Sequence, residues 1–290
     1  MLRLGYKASA EQFGPRRLLD YAIEAERAGF DSVFVSDHFQ PWQAFGTLGS
    51  LHPGRFICGL GTGEHLNEGA LGITWPDNKE RFARMREAVK LIRRLWSEQS
   101  VTFEGEYYKT LNATIYDRPD QPVPIYIGAG GPQVAKYAGR AGDGLICTSG
   151  KGMELYSEQL LPAFADGVTE SGRDAGALDR MIEMKVSYDT DRDRAMEDTK
   201  IWAALALPGE LKANVNDPRE MERLAKTAEE TAHRRWLVSS EPDEHIDRLR
   251  PYLELGFRHL VFHHPGEDQS RFIELYSKQI LPRLRKEFDS

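Results

Sequence analysis

The sequence predicts an α/β fold of the (β/α)8 TIM-barrel type with insertions. Apolar, strand-like runs alternate with amphipathic helical patterns along all 290 residues, and this alternation implies a parallel sheet. Seven main strands and one short strand can be counted, close to the eight strands of a closed barrel. The chain contains no recognisable linker, repeat or low-complexity segment. We therefore expect a single barrel domain over residues 1–290.

The strands are predicted from short apolar runs that turn residues interrupt. They cover residues 2–7, 31–36, 55–61, 123–129, 144–148, 181–188, 236–239 and 260–263, and a small hairpin covers 101–103 and 107–108. Between Ser36 and Arg55 the pattern is poor, because a parallel crossover needs a dozen or more residues and usually a helix. Only residues 43–51 could be helical, and they include Gly46 and Gly49.

The helices are predicted from apolar spacing, from prolines at their first turn and from glycines at their ends. They cover residues 15–29, 76–96, 133–140, 154–171, 192–205, 219–232, a stretch from Pro242 onward, and 270–286. In the first helix, Leu19, Ala22, Ile23 and Ala25 are expected to face inward. In the second, the positions Phe82, Met85, Val89, Ile92 and Trp96 follow a three-and-four spacing that is strong evidence for an amphipathic helix.

Composition restricts the class of function. The net charge of −7 argues against broad nucleic-acid or anionic-membrane binding, although a local basic pocket for a small anion stays possible. Cys58 and Cys147 each lie in an apolar run, as expected for reduced core thiols of a cytosolic protein. No metal-ligand cluster, secretory segment or membrane-length apolar stretch is recognisable. The sequence therefore predicts a cytoplasmic protein without a metal centre.

Polar side chains follow the second predicted strand, where Val33, Phe34 and Val35 lead into Asp37, His38 and Trp42. Groups just past the carboxyl end of a parallel strand lie on the site face of such folds. A neutral imidazole suits a general base near pH 7, whereas a lone histidine is more often structural. Three further segments also follow predicted strands: 61–64 (GTGE), 128–131 (GAGG) and 148–152 (TSGKG). They are candidates for close ligand approach and phosphate binding.

Several longer runs resemble the coenzyme F420-dependent glucose-6-phosphate dehydrogenases of the bacterial-luciferase-like superfamily. The resemblance covers nearly the whole chain and is carried by residues 4–13 (LGYKASAEQF), 36–42 (SDHFQPW), 61–64 and 66–68 (GTGE, LNE), 136–144 (KYAGRAGDG), 147–152 (CTSGKG) and 260–263 (LVFH). It implies hydride transfer from C1 of glucose 6-phosphate to oxidised coenzyme F420, which yields 6-phosphogluconolactone. It also implies a homodimer.

The resemblance implies a role for each matching position. His38 would take the proton of the C1 hydroxyl, Trp42 would cover the reacting face, and either Glu64 or Glu11 would be the acid. The implied cofactor contacts are Asp37, Asn67, Gly130, Gly131, Thr148, Ser149 and Gly150. The implied substrate-phosphate contacts are Lys151, Lys212 and Arg235, the last uncertain by one position because Arg234 adjoins it. Lys185 is an unusual inward charge within a predicted strand.

The chain departs from the family at one place. The family carries a further strand and helix of roughly forty residues after the Trp42 region, where the connection between Ser36 and Arg55 is inadequate. Loss of a strand would open a closed barrel at two edges. We expect the natural protein to contain this β-α segment, which the 290-residue chain lacks after Trp42.

Three other functions remain open from the sequence. The protein could be an F420-dependent dehydrogenase of another alcohol, an FMN-dependent luciferase-like monooxygenase, or a sugar-phosphate isomerase or binding protein. The cations Lys151, Lys212 and Arg235 favour an anionic substrate, and reduction of F420 by glucose 6-phosphate separates the leading function from the others.

Overall fold

A computed structural model describes residues 1–9, 12–35, 52–68, 74–115, 118–213, 215 and 217–289. The chain divides into two compact units. Unit 1 comprises Met1–Asp37, Cys147–Glu158 and Asp179–Ser290, and unit 2 comprises His38–Ile146 and Gln159–Leu178.

Strands and helices alternate along the described ranges, as the sequence predicts. The strands are β1 (Arg3–Ala8), β2 (Ser32–Val35), β3 (Cys58–Leu60), β4 (Val101–Glu104), β5 (Lys109–Ala113), β6 (Ile125–Gly128), β7 (Gly144–Thr148), β8 (Asp179–Tyr188), β9 (Leu237–Ser239) and β10 (His259–His263). The α-helices are α1 (Pro15–Arg27), α2 (His65–Glu68), α3 (Asn78–Ser97), α4 (Pro132–Ala141), α5 (Leu161–Ser171), α6 (Arg192–Asp198), α7 (Gly209–Ala213), α8 (Pro218–Ala225), α9 (Pro242–Glu254), α10 (Gln269–Leu275) and α11 (Leu281–Phe288).

Tighter or wider turns extend several helices. Turns of 3₁₀ type cover Ala175–Ala177, Thr199–Ala206 and Lys226–Arg235, and π-type turns cover Leu155–Leu160 and Tyr276–Ile280. The helix predicted over 154–171 is therefore a π-type turn that continues into α5. Helix α7, which carries Lys212, was not predicted.

Unit 1 contains a parallel sheet in the order β2, β1, β10 and β8, with β9 beside the carboxyl end of β8. Unit 2 contains β3, β6 and the first part of β7, also parallel, and the antiparallel hairpin of β4 and β5. In both units the helices follow the strands in βα order, which is the parallel arrangement that the alternation predicts.

Part of the apolar surface of unit 1 is exposed near the predicted missing segment. On strand β2, Val33 is 41% and Val35 53% exposed, although strands of a closed parallel barrel are covered on both faces. On α1, Leu19 is 60% and Ile23 38% exposed, so the expectation that both face inward was wrong. Ala25 is buried as predicted, and Tyr21, which was not predicted, is buried with it. An additional strand and helix beside β2 and α1 would cover such residues.

The core of unit 1 contains a buried histidine. His245 lies between the Ser239 and Tyr276 hydroxyl groups, each 2.5 Å from one ring nitrogen, and its ring lies 5.0 Å from the Tyr188 ring. Burial, with a smaller contribution from Arg248, lowers the pKa of His245 from 6.5 to about 3. The folded protein therefore holds this imidazole neutral.

We expect the protein to lose stability as the pH falls below neutrality. Because the folded-state pKa of His245 is depressed, the unfolded chain binds the proton first, and the free energy of unfolding should fall by about 2 kcal/mol between pH 6.5 and 5. Urea unfolding at several pH values measures this slope. His245→Gln should flatten it, whereas the exposed His52→Gln should leave it unchanged; an unaltered slope in His245→Gln would contradict the assignment.

Unit 2 confirms the longest predicted helix and corrects the hairpin. On α3, Met85, Val89, Ile92 and Trp96 are buried as predicted. The second hairpin strand, predicted over 107–108, is instead β5 (Lys109–Ala113). The Glu87 carboxylate accepts hydrogen bonds from the backbone N–H groups of residues 106, 107 and 108 at 2.7 to 3.0 Å, which holds these residues in the turn.

Candidate functional site

Some predicted site residues lie outside the described part of the chain. These are Glu11, Asp37, His38 and Trp42, together with the side chain of Asn67, and their roles stay predictions. The neighbour of Glu11 is described: the Gln12 amide donates to the Pro265 carbonyl at 2.9 Å and accepts a hydrogen bond from Trp202 Nε1 at 3.3 Å. The chain just after β1 is therefore fixed to the segment that follows β10.

In unit 1, the loop after β7 is tied to strand β8. The Ser149 N–H donates to the Glu183 carbonyl at 2.8 Å, and the Ser149 hydroxyl accepts from the Lys185 N–H at 2.7 Å. The Thr148 carbonyl accepts from the Tyr156 hydroxyl at 2.7 Å, while the Thr148 side chain is exposed. Ser149 therefore contributes to strand pairing, whereas Thr148 can meet a ligand.

Gly150 allows this loop to lie against Arg235. Its φ is +83°, which favours glycine, and a Cβ atom there would lie 2.9 Å from the Arg235 carbonyl oxygen. Both the backbone conformation and the space therefore require glycine. Lys151 follows directly and is exposed.

We expect Gly150→Ala to weaken binding of the phosphorylated substrate. The Cβ atom should strain the backbone by about 1–2 kcal/mol and push the loop away from Arg235, so KM should rise. Gly172→Ala is the matched control, because Gly172 also has a positive φ of +65° but has open space around its Cβ position. It should lose stability without a change in KM. An unchanged KM for the phosphorylated substrate in Gly150→Ala would contradict the view that this loop places Arg235 in the phosphate site.

The structure distinguishes Arg235 from its neighbour. Arg235 is half-buried, and its Nε atom is buried without a hydrogen-bond partner, whereas Arg234 is exposed. Arg235 and Lys151 both lie near enough to Lys185 to lower its pKa. These three cations therefore share one region of unit 1. Lys212 donates from its ammonium group to the Leu205 carbonyl at 3.1 Å, and its approach to the other cations stays a prediction.

Beside this loop, four ionisable side chains form a buried network across three strands. The Glu183 carboxylate lies 3.8 Å from both the Lys7 and the Lys185 ammonium groups, and 3.0 Å from His263 Nδ1. Burial alone would raise the pKa of Glu183, but the hydrogen bond with His263 and the two ammonium groups hold it well below its usual range. One carboxylate therefore balances two buried lysines.

Burial has the opposite effect on the cations of this network. It lowers the pKa of Lys185 against the attraction of Glu183, and the nearby Arg235, Lys7 and Lys151 lower it further. It also lowers the pKa of His263, whose ring lies 4.9 Å from the Trp202 ring and 5.1 Å from the Trp236 ring. An anion beside Lys185 would relieve the repulsion among these cations.

In unit 2, Glu64 is exposed at the end of the turn that follows β3. Its N–H donates to the Glu68 carboxylate at 3.2 Å. Gly130 and Gly131 lie between β6 and α4, and Cβ atoms at both positions would meet no heavy atom within 4 Å. This open glycine cradle before a helix fits the approach of an anionic cofactor group to backbone N–H donors.

Sequence reasoning missed most of the buried ionic network. It noted Lys185 but not Lys7, Glu183 or His263. The available signal was a charged residue inside an otherwise apolar strand, since Lys7 and Glu183 occupy such positions in β1 and β8. The described residues contain no cluster of three or more potential ligands that could hold a metal ion. No helix within the described ranges has the length and apolarity needed to cross a membrane.

The model of the luciferase-like monooxygenase family matches residues 42–259 of the chain. The F420-dependent glucose-6-phosphate dehydrogenase of Nakamurella multipartita is 55% identical, and the match covers 98% of this chain and 97% of that protein. The enzyme of the same name from Intrasporangium calvum is 52% identical, with coverage of 98% and 99%.

Solved structures agree with this match. An F420-dependent secondary alcohol dehydrogenase, in complex with an F420–acetone adduct, has a TM-score of 0.87 and 30% identity, with coverage of 96% of this chain and 98% of that chain. The F420-dependent tetrahydromethanopterin reductase of Methanopyrus kandleri has a TM-score of 0.80 at 22% identity, with coverage of 97% and 99%, which is a likeness of fold. The predicted fold class, an α/β barrel of the luciferase-like type, is confirmed.

The alignment also bears on the predicted missing segment. The match to the Nakamurella multipartita protein extends over 328 positions, whereas the chain has 290 residues. At least 38 aligned positions therefore have no residue in this chain, close to the size of the expected strand and helix. The predicted place of the break, between Trp42 and Phe45, lies outside the described residues.

We expect the natural protein to be heavier than the 32.9 kDa of the 290-residue chain. The segment of roughly forty residues should add more than a tenth to this mass. Mass spectrometry of the intact protein, purified from its natural source, measures the difference, and peptide mapping locates the extra residues. A mass equal to that of the 290-residue chain would show that the segment is truly deleted.

Identity over nearly the full length, the family match and the shared fold all lead to one assignment. The chain belongs to the luciferase-like family, in the branch whose curated members are named F420-dependent glucose-6-phosphate dehydrogenases.

Proposed function

We propose that the protein oxidises glucose 6-phosphate at C1 with coenzyme F420 as the electron acceptor, and releases 6-phosphogluconolactone. The observation that carries this proposal is the cationic region of unit 1, where Lys151, Lys185 and Arg235 lie near one another beside the glycine loop. A dianionic phosphate would stabilise these cations, and a neutral secondary alcohol would not. The names of the relatives point to the same substrate.

The side chains would act by binding and by proton transfer. Arg235 can hold the phosphate with two N–H donors, while Lys151 and Lys212 supply point charges. His38 would accept the proton of the C1 hydroxyl as the hydride leaves C1, with Trp42 over the reacting face. Coenzyme F420, when bound, supplies a deazaflavin ring that takes up the hydride.

The remaining residues would hold the cofactor and complete the proton balance. Glu64 or Glu11 would donate the proton that accompanies the hydride. Thr148 and Gly150 on one loop and Gly130 and Gly131 on another would hold the cofactor, with Asp37 and Asn67 as further contacts. Ser149, whose N–H and hydroxyl are both bonded to β8, would hold the first loop in place. The open space at Gly130 and Gly131 supports this assignment.

The proposed reaction is tested with purified protein, glucose 6-phosphate and oxidised F420. Loss of the deazaflavin absorbance should depend on both substrates, and unphosphorylated glucose should react far less well. Isopropanol tests the secondary-alcohol alternative, and FMN with a reductant tests the monooxygenase alternative. Two results would overturn the proposal if glucose 6-phosphate is not oxidised: reduction of F420 by isopropanol, or activity that requires FMN in place of F420.

We also propose that the enzyme is a cytoplasmic homodimer that folds as one barrel domain. Cys58 and Cys147 support a reducing compartment, because both are free, buried thiols, and burial raises the pKa of each to about 12. Light scattering of the natural protein tests the dimer, and a single calorimetric transition tests the single domain.

A further inference from the structure

An arginine side chain binds the backbone of the turn that carries Glu64. Arg81, in the first turn of α3, donates from Nη1 to the Gly63 carbonyl at 3.3 Å and to the Thr62 carbonyl at 3.4 Å. These carbonyls belong to the two residues directly before Glu64. The guanidinium group therefore fixes the backbone that aims this carboxylate.

Arg81 is itself held in place within unit 2. Its guanidinium group lies over the Trp75 ring, 4.5 Å from the centroid, and Nη2 donates to the Asn78 side chain. Its Nε atom is buried without a hydrogen-bond partner. An arginine that served only to stabilise the helix start would keep its guanidinium in water, since a buried unpaired donor is costly. The position of the Arg81 guanidinium group therefore indicates that it has a role at the turn before Glu64.

A second side chain, Glu68, holds the same stretch of backbone. Gly63 has a φ of +81°, and a Cβ atom at this position would overlap the Glu68 carboxylate. The same carboxylate accepts the Glu64 N–H at 3.2 Å. Arg81 therefore binds the carbonyl groups before Glu64 while Glu68 binds its amide, so the peptide unit that leads into the acid is held by two side chains.

We propose that Arg81 is a positioning residue for Glu64 in hydride transfer. This proposal rests on the proposed function, in which Glu64 is one of two candidates for the proton donor. Arg81 would act through the Thr62 and Gly63 carbonyls and would not touch the substrate. Because proton transfer requires hydrogen-bond reach of the acceptor, a displaced turn would lower the rate of the chemical step and leave substrate affinity intact.

The test separates kcat from binding. Arg81→Met keeps much of the apolar stem but removes the donors, and it should lower kcat about tenfold to a hundredfold, with unchanged KM for glucose 6-phosphate and unchanged Kd for F420. Arg81→Lys keeps one donor group, so its kcat should be intermediate between that of Arg81→Met and that of the unaltered protein. Arg84→Met is the matched control on the same helix, because Arg84 pairs with Glu80 at 2.6 Å; its kcat should equal that of the unaltered protein.

A double-mutant cycle shows whether Arg81 acts through Glu64. If it does, Arg81→Met should cause no further loss of kcat in the Glu64→Gln background. An equal fold-loss in both backgrounds, or an unchanged kcat in Arg81→Met, would overturn the proposal. Full activity of Glu64→Gln would also overturn it and assign the acid to Glu11, while the dehydrogenase function itself would stand. Thermal unfolding of each variant confirms that it is folded.

Discussion

Replacement of His38 by alanine is expected to lower kcat by about 10²- to 10⁴-fold, the usual contribution of a positioned general base. The proton of the C1 hydroxyl must leave as the hydride departs, and His38 is the base that the family resemblance implies. Among the described residues, His263 lies beside the cationic region of unit 1, but it is buried between two tryptophans and bonded to Glu183. Affinity for F420 should be unchanged, because the imidazole acts on the sugar.

Rapid-mixing absorbance of the deazaflavin measures the hydride step, and a fluorescence titration measures cofactor affinity. His52→Ala is the control, since His52 is exposed and has no assigned role; both measurements should match the unaltered protein. Equal loss of hydride transfer and cofactor binding in His38→Ala would mean that His38 is structural. Full activity would exclude it as the base.

Replacement of Arg235 by methionine should raise KM for glucose 6-phosphate by about tenfold to a hundredfold, with little change in kcat. A charge-assisted hydrogen bond contributes about 1.5–3 kcal/mol, which corresponds to this range of affinity. Arg235 is placed for this role because it is half-buried, adjoins Gly150 and carries a buried Nε atom without a partner. Lys212→Ala should also raise KM, by a smaller factor.

Arg234→Met is the decisive control for Arg235, because the two arginines are adjacent and differ in exposure. It should leave KM unchanged. A larger effect of Arg234→Met than of Arg235→Met would move the phosphate contact by one position. An unchanged KM in both variants would show that neither arginine binds the phosphate, and it would favour the alternative of a neutral alcohol substrate.

The sequence predicted elements whose determinants are local. The three-and-four spacing from Met85 to Trp96 identified α3 because one helix face is buried along its length. The loop before Lys151 was singled out because it combines hydroxyl groups, glycine and a cation, but its contact with the Arg235 carbonyl through Gly150 could not be predicted from the sequence. Most of the site could be named only through family resemblance, because Lys212 and Arg235 by themselves read as surface charges.

Features that depend on distant contacts could not be predicted. Glu183 meets Lys7 and His263, which are more than 70 positions away in sequence, and no local pattern records this meeting. Residues 107 and 108 have strong strand propensity, yet three hydrogen bonds with Glu87 on another element hold the segment in a turn. The contact of Arg81 with the turn before Glu64 is of the same kind.

The exposed valines of β2 have a practical consequence for the study of assembly. Among the described residues, β2 pairs with β1 alone, and its Val33 and Val35 side chains are open to water, so its other side can accept a strand from a second molecule. Recombinant protein that contains only the 290 residues should therefore self-associate through β2, and the size of the oligomers should increase with protein concentration. Its particle size would then measure this artificial pairing, and the native subunit count should be taken from protein purified from its natural source.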